Sequence, residues 1–536
     1  SIGVVRGQTI NVLNKSIDQF LGIPFAEPPV GGLRFRKPQP INTPFKEVID
    51  ATKPKNSCFQ NSVTALPVIQ SEDCLVLSIW SPSKGNGRKT ASKPGLKPVM
   101  FWIHGGSLRI GSIFTPTGDG SVLSTQDMVV VFTNYRVGPF GWLYGGTENE
   151  PGNLGLYDQL LALKWVRENI EKFGGDPNQM TIFGESAGSW SVSAHVLSPL
   201  SRGLFKRAIL ESGTLLGNKD VRGLTTESAL IQSKQMAKSF NCSDDHQWLQ
   251  CLRDVDPKEL TVYMNLQPYP LHDSQFLPIS AQQAFKTHDY STDIDILMGI
   301  VRDEGSLLAH LFYPKSDSLN SSQEFEALVK TVAIPQLDAK AITEFYLKGV
   351  DTSSADALKK AFWRFYGDVR MICPTYLFAK QFAKSSPKSN VFFYDWTYGS
   401  NILGPLIGCT KDMGVCHGGE VEYVFGLPIL MHTNDSEFSE NVIKMWTNFA
   451  KKGNPMDNNK WPRLIETGRL RSRSVPKIKE INPSAPDHIM ENPFAETCDG
   501  FWSNYFTSDQ NRRGIQWLND GKNHTIPLSM INRLMG

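Results

Sequence analysis

The sequence predicts an α/β protein: a mostly parallel central sheet flanked by helices, with large helical insertions. Strand-like runs alternate with helix-like ones through the middle of the chain, in the order strand, crossover, strand that a parallel sheet requires. Two of the runs, VVVFTNY from Val129 and DILMGIV from Asp295, are continuously apolar. Strands covered on both faces read this way, whereas half-exposed strands alternate.

Taken in order, the expected strands run from Pro98 to Ile103, Val129 to Asn134, Thr181 to Gly184, Arg207 to Glu211, Asp293 to Ile300 and Asn390 to Trp396. Each is rich in β-branched, aromatic or other apolar residues. Leu156 to Phe173 reads as the helix crossing between the second and third. The stretches Val221 to Tyr290 and Lys315 to Lys388 have helical patterns and no candidate nucleophile, so they read as insertions roofing the sheet edge. Large α/β folds with insertions reach this length as one unit, so residues 1–536 are expected to form a single domain. There is no internal repeat and no low-complexity segment.

Composition narrows the class. The chain balances 55 basic against 53 acidic residues, which offers no electrostatic case for nucleic acid or a membrane surface. The basic stretches Lys84 to Lys97 and Arg469 to Lys479 read as solvated loops. No run approaches the ~18 apolar residues of a membrane span. The expected partner is a small uncharged molecule; nothing in the sequence sets the oligomeric state. Eight cysteines show close spacings that invite Cys58 to pair with Cys74, Cys242 with Cys251 and Cys409 with Cys416, leaving Cys373 for Cys498. An even set of this kind points to an oxidising compartment, and none of the spacings is that of a structural zinc site. Glycosylation acceptors at Asn14, Asn241, Asn320, Asn434 and Asn523 agree with secretion. The chain begins at Ser1 without an apolar leader, as a secreted chain does once its leader is removed.

Chemistry concentrates at Thr181 to Gly188, TIFGESAG, where a strand-like run meets Gly-Glu-Ser-Ala-Gly and then a helix. In such an elbow Ser186 occupies a sharp strand-to-helix turn, and Gly184 and Gly188 lack the Cβ atoms that would clash there. A serine nucleophile needs a base and an acid that orients the base, in the chain order Ser, acid, His. Of ten histidines, His310, His417, His432, His488 and His524 follow a plausible acid. His417 lies in the Gly-rich MGVCHGGE and is the expected base, whereas His310 reads as helix surface. The acid is Glu304 or its neighbour Asp303, at the carboxyl end of the run finishing at Ile300, where α/β sites assemble. The N–H of Ala187 and those of the Gly-rich IHGGS segment, at Gly105, Gly106 and Ser107, could hold an oxyanion. This chemistry calls for no metal or other cofactor, and no HExxH-like cluster occurs.

With these motifs in view, the chain resembles the type-B carboxylesterases of the carboxylesterase and cholinesterase family, over nearly its whole length. The resemblance is carried by FLGIPFAEPPVGGLRF from Phe20, SEDCLVLSIW from Ser71, NYRVGPFGWL from Asn134, the stretch from Gly152 to Pro177, GESAG, DEGS and GVCHGGEVEYVFG from Gly414. It implies an α/β-hydrolase fold, a triad of Ser186, Glu304 and His417, and oxyanion donors at Gly106, Ser107 and Ala187. It also implies the disulfides Cys58–Cys74, Cys242–Cys251 and Cys373–Cys498, to which Cys409–Cys416 would be an addition.

Departures bear on the substrate. Ser107 stands where the family usually has a third glycine. Cholinesterases hold their cation against a Trp between the first two cysteines and an aromatic residue three past the catalytic Glu. Here the loop from Phe59 to Asp73 has no Trp and the second position is Leu307, which disfavours choline esters. Glu185 replaces the Gln usual in juvenile hormone esterases. The expected activity is therefore hydrolysis of neutral carboxylic esters by a secreted serine esterase. The alternatives are a cholinesterase-like or lipase-like esterase and, from another class, a non-catalytic adhesion or ligand-sequestering homologue.

Overall fold

A computed structural model describes residues 3–61, 69–83, 95–115, 118–218, 225–242, 247–263, 265–332, 338–456, 460–466 and 474–508. Its centre is a sheet of eleven strands: β1 (Gln8–Val12), β2 (Lys15–Pro24), β3 (Val76–Pro82), β4 (Lys97–Ile103), β5 (Val129–Thr133), β6 (Gly175–Glu185), β7 (Arg207–Glu211), β8 (Asp295–Val301), β9 (Val391–Trp396), β10 (Lys477–Ile481) and β11 (Ile489–Glu491). Their spatial order is β11-β10-β9-β8-β7-β6-β4-β5-β3-β2-β1. From β10 to β5 every neighbour is parallel. The pairs at both edges are antiparallel.

The six strands read from the sequence are all present, shifted by at most a few residues at their ends, except that the third extends back to Gly175. The antiparallel edges were not foreseen. The hairpin of β1 and β2 turns on Leu13 and Asn14, with φ of 49° and 61°, the left-handed pair that a two-residue turn between twisted strands demands.

Seven helices matter for the site: α1 (Leu154–Asn169), α2 (Ala187–Leu197), α3 (Thr226–Ser239), α4 (Glu304–Phe312), α5 (Ala355–Gly367), α6 (Cys373–Ser385) and α7 (Ser436–Lys452). The expected crossing helix is α1 plus a 3-10 turn, Ile170–Phe173, stopped at Gly174 with φ 85°. Alternation along the strands divides the core. Phe101, Ile182 and Ile296 join one apolar layer with Leu160 and Leu163 of α1, Val192 of α2 and Phe378 and Phe382 of α6. Trp102, Phe183 and Leu297 join the opposite layer with Ile443, Trp446 and Phe449 of α7. Each such fully buried side chain contributes roughly 2 kcal/mol.

The insertions correct one expectation. The second does not merely roof an edge, because α6 lies on β8 and β9 and turns Phe378, Ala379 and Phe382 into the core. The first divides itself: Phe276, Phe285 and Tyr290 join the main core, and Met236 and Ala237 of α3 build a satellite cluster with Phe35 and Phe140. All eight cysteines pair, as Cys58–Cys74, Cys242–Cys251, Cys373–Cys498 and Cys409–Cys416. Asn14, Asn241, Asn320 and Asn434 are exposed. Asn523, most of Lys84 to Lys97 and part of Arg469 to Lys479 lie outside the described residues. Among the described residues no helix is long and apolar enough to cross a membrane.

Candidate active site

The carboxyl end of β6 delivers Ser186 at φ 58° and ψ −123°, a backbone region that L residues adopt only when their surroundings force it. The forcing contacts are visible. Ser186 N donates to Glu211 O at 2.9 Å, and α2 starts at the next residue. A Cβ on Gly188 would lie 2.1 Å from the carbonyl oxygen of Ile103, and one on Gly184 2.6 Å from the same atom. The first turn of α2 therefore rests directly on the end of β4, beside the Gly-rich segment that follows it.

That segment curls toward the serine. A Cβ on Gly105 would meet Glu185 O at 2.7 Å and Ser186 Cβ at 3.2 Å. Gly106, Ser107 and Leu108 have successive φ values of 110°, 54° and 60°, and the N–H groups of Arg109 and Ile110 both close on Gly106 O at 3.0 Å. Ser107 thus holds a left-handed conformation that a glycine would take without strain. Among the described residues, the N–H groups of Gly106, Ser107 and Ala187 donate to no protein acceptor. His104 braces the loop. Its ring stacks on Tyr135 at 4.3 Å, its Nδ1 lies 2.9 Å from Gly105 O, and Tyr135 donates to its carbonyl at 2.7 Å. Burial lowers the His104 pKa to about 4, so the ring is neutral.

The acid and the base meet from opposite sides. Glu304 is the first residue of α4, directly after β8, and is fully buried. Its Oε1 accepts from Val301 N at 3.1 Å, and its Oε2 lies 2.6 Å from His417 Nδ1. Asp303 faces elsewhere: its Oδ2 accepts from Val415 N at 2.8 Å, and its own N–H donates to Val415 O at 3.1 Å. Adjacent carboxylates thus divide the work, one gripping the histidine loop and the other the histidine. Among the other histidine candidates, His310 pairs with Asp317 at 2.5 Å and His488 with Glu480, both exposed, and His432 is exposed. His524 lies outside the described residues.

Two further carboxylates, Glu211 and Glu420, were missed in the sequence, and Glu185 was read there only as a departure from juvenile hormone esterases. Glu185 Oε1 lies 3.2 Å from His417 Nε2. Glu420 accepts from Ser212 Oγ and Tyr394 OH at 3.4 Å, and Glu211 from Trp446 Nε1 at 2.9 Å. Burial raises Glu185 to about 7, Glu420 to about 8 and Glu211 well above the usual carboxylate range. Burial works against a charged His417, but Glu185 and Glu304 outweigh it and lift its pKa to about 9. A turn-borne hydroxyl, an oriented imidazole whose Nε2 makes no hydrogen bond among the described residues and a set of free amides together suit acyl transfer. Among the described residues no group of three or more His, Cys, Asp or Glu is placed to hold a metal ion.

Comparison with known proteins agrees. The model of the carboxylesterase family matches residues 1–493. The chain is 36% identical over 507 residues to a cholinesterase of Mus musculus, covering 87% of this chain and 81% of that one. It is 35% identical over 547 residues to an acetylcholinesterase of Bungarus fasciatus, covering 94% and 85%. An acetylcholinesterase of Leptinotarsa decemlineata is 32% identical over 562 residues, covering 96% and 86%.

Proposed function

Because the chain belongs to the carboxylesterase family and is a carboxylic ester hydrolase, we propose that it is a secreted serine esterase acting on neutral carboxylic esters through Ser186, His417 and Glu304. The observation that carries this reading is the buried 2.6 Å hydrogen bond from His417 to Glu304, made beside a strained Ser186. Ser186 Oγ attacks the ester carbonyl carbon and its proton passes to His417 Nε2. The oxyanion is held by the N–H groups of Gly106, Ser107 and Ala187, with Gly105 keeping the loop against the elbow. Collapse breaks the bond to the alcohol oxygen, which leaves with the proton from His417. Water then attacks the acyl-enzyme, again losing its proton to His417, and Ser186 is restored. Glu304 accepts the hydrogen bond from His417 Nδ1 and keeps the ring oriented toward the serine. Four disulfides and exposed sequons support a secretory compartment.

A cholinesterase-like activity is the second reading, favoured by the cholinesterases among the relatives. Against it stand the absence of Trp between Phe59 and Asp73 and the aliphatic Leu307 on α4. Turnover of p-nitrophenyl acetate, butyrate and a long-chain ester is measured beside acetylthiocholine, with an organophosphate as active-site label. Neutral esters should dominate, and the label should map to Ser186. Ser186→Ala should lower kcat by at least about 10⁴-fold while leaving the fold intact. Wild-type turnover in that variant, or an adduct elsewhere, would overturn the assignment; preference for the choline ester would favour the second reading.

A further inference from the structure

Several helices of this protein are capped by the side chain that precedes them. Thr225 caps α3 and Ser354 caps α5. Asp338, ahead of the helix Ala339–Leu347, accepts from the N–H groups of Lys340 and Ala341 at 2.9 and 3.2 Å. Asp303 occupies the same place ahead of α4, and aspartate is among the best residues for it. Its carboxylate nevertheless makes no capping hydrogen bond among the described residues. The first turn of α4 closes on the Asp303 carbonyl instead, which accepts from the N–H and the Oγ of Ser306 at 3.1 and 2.8 Å.

The carboxylate turns to the loop that carries His417. Oδ2 accepts from Val415 N at 2.8 Å while Asp303 N donates to Val415 O at 3.1 Å, so Val415 is gripped by both of its main-chain groups. Arg302 donates through Nε and Nη2 to the same Oδ2, at 3.1 and 3.0 Å, and steadies its direction. The approach is close: a Cβ on Gly414, which has φ 73°, would lie 2.3 Å from Oδ2, so a side chain there would push the loop away. Val415 is two residues ahead of His417, and Cys416 between them is tied to Cys409. Glu304, next in the chain, holds the His417 ring at 2.6 Å. Consecutive residues at the end of β8 thus fix the main chain of the histidine loop and the ring that it carries.

Resting on the serine-esterase reading, we propose that Asp303 is a positioning residue, which sets where His417 stands between Glu304 and Ser186 through the hydrogen bond from Val415 and not by capping α4. His417 moves a proton in both halves of the reaction, to the leaving alcohol and from the attacking water. A loosened loop slows both halves alike, and substrate binding calls on neither. The signature is therefore a fall in kcat with KM nearly unchanged.

Two substitutions separate positioning from capping. Serine caps a helix as well as aspartate does, but in Asp303→Ser the hydroxyl is one bond shorter and leaves the Val415 N–H unmet. Asp303→Asn keeps an acceptor at full reach. Turnover of p-nitrophenyl butyrate is measured with reactive sites counted by organophosphate titration taken to completion, beside Tm. Asp303→Ser should lower kcat roughly tenfold to a hundredfold, the scale set by a displaced catalytic group, with KM and Tm close to wild type. Asp303→Asn should recover most of that loss. Wild-type kcat in Asp303→Ser would overturn the proposal, and so would an equally deep loss in Asp303→Asn. Should Asp303→Ser fail to fold, Gly414→Ala decides, since it leaves Asp303 in place and presses the loop off Oδ2: lower kcat at unchanged KM supports positioning, and unchanged kcat overturns it. Failure of the wild-type enzyme to turn over the ester would instead sink the esterase mechanism itself.

Discussion

Replacing Glu185 by Gln should move the activity profile to lower pH. The lift of His417 from an ordinary 6.5 to about 9 corresponds to about 3 kcal/mol in favour of the imidazolium. Glu185 Oε1 lies 3.2 Å from Nε2, where a full charge at an effective dielectric near 20 acts with about 5 kcal/mol. That exceeds the net lift, since burial opposes it. Glu185, raised to about 7, is ionised where His417 titrates, but Glu304 and Glu420 also favour the imidazolium and remain in the variant. The Gln variant should therefore drop the midpoint by about one pH unit rather than by the full Coulombic amount. The sign follows from the role of His417: only the neutral ring can take the Ser186 proton, so kcat/KM rises as pH climbs through its pKa. Removing a carboxylate lowers that pKa and shifts the rising limb toward acid. In wild type the limb should also be broad, because His417, Glu185 and Glu420 titrate together. The assay is pH-stat titration of methyl butyrate hydrolysis from about pH 5 to 10. An unchanged or more alkaline midpoint in Glu185→Gln would refute the reasoning.

Other outcomes follow from contacts described above. Gly188→Ala places a methyl group 2.1 Å from Ile103 O and should destabilise the protein by about 3 kcal/mol, read as a lower midpoint in urea unfolding. Asp158→Ala strands Arg136, which it meets through two 2.7–2.8 Å hydrogen bonds in full burial, and should cost about 3–5 kcal/mol by the same assay. The double variant Cys409→Ser with Cys416→Ser removes the tie beside His417. It should reduce kcat more than it reduces thermal stability, since a ring closed over a sequence separation of seven constrains the unfolded chain little; a large loss of Tm with normal kcat would contradict this.

What was legible in the sequence was local. The elbow is written in eight consecutive residues because a strand, a glycine-flanked serine and a helix start must adjoin. Asp303 and Glu304 could not be separated by spacing, as neighbours leave the end of β8 in different directions, and only the position of Val415 and His417 decides which is which. The β1–β2 hairpin went unread although Leu13 and Asn14 form its turn, because Asn14 also heads a glycosylation sequon. Glu185, Glu211 and Glu420 come together only when β6, β7 and the His417 loop align at one end of the sheet.

The bridge between Cys373 and Cys498, a sequence separation of 125, turns that part of the chain into a covalent ring, and His417 lies inside it. A protease that cuts the backbone once within the ring opens a gap without releasing a piece. A cut before His417 leaves it fastened by sulfur to the portion bearing Ser186 and Glu304, and a cut after it leaves it fastened by backbone. A singly nicked molecule therefore migrates as two bands only after reduction, and losing a catalytic group to proteolysis takes a second cut.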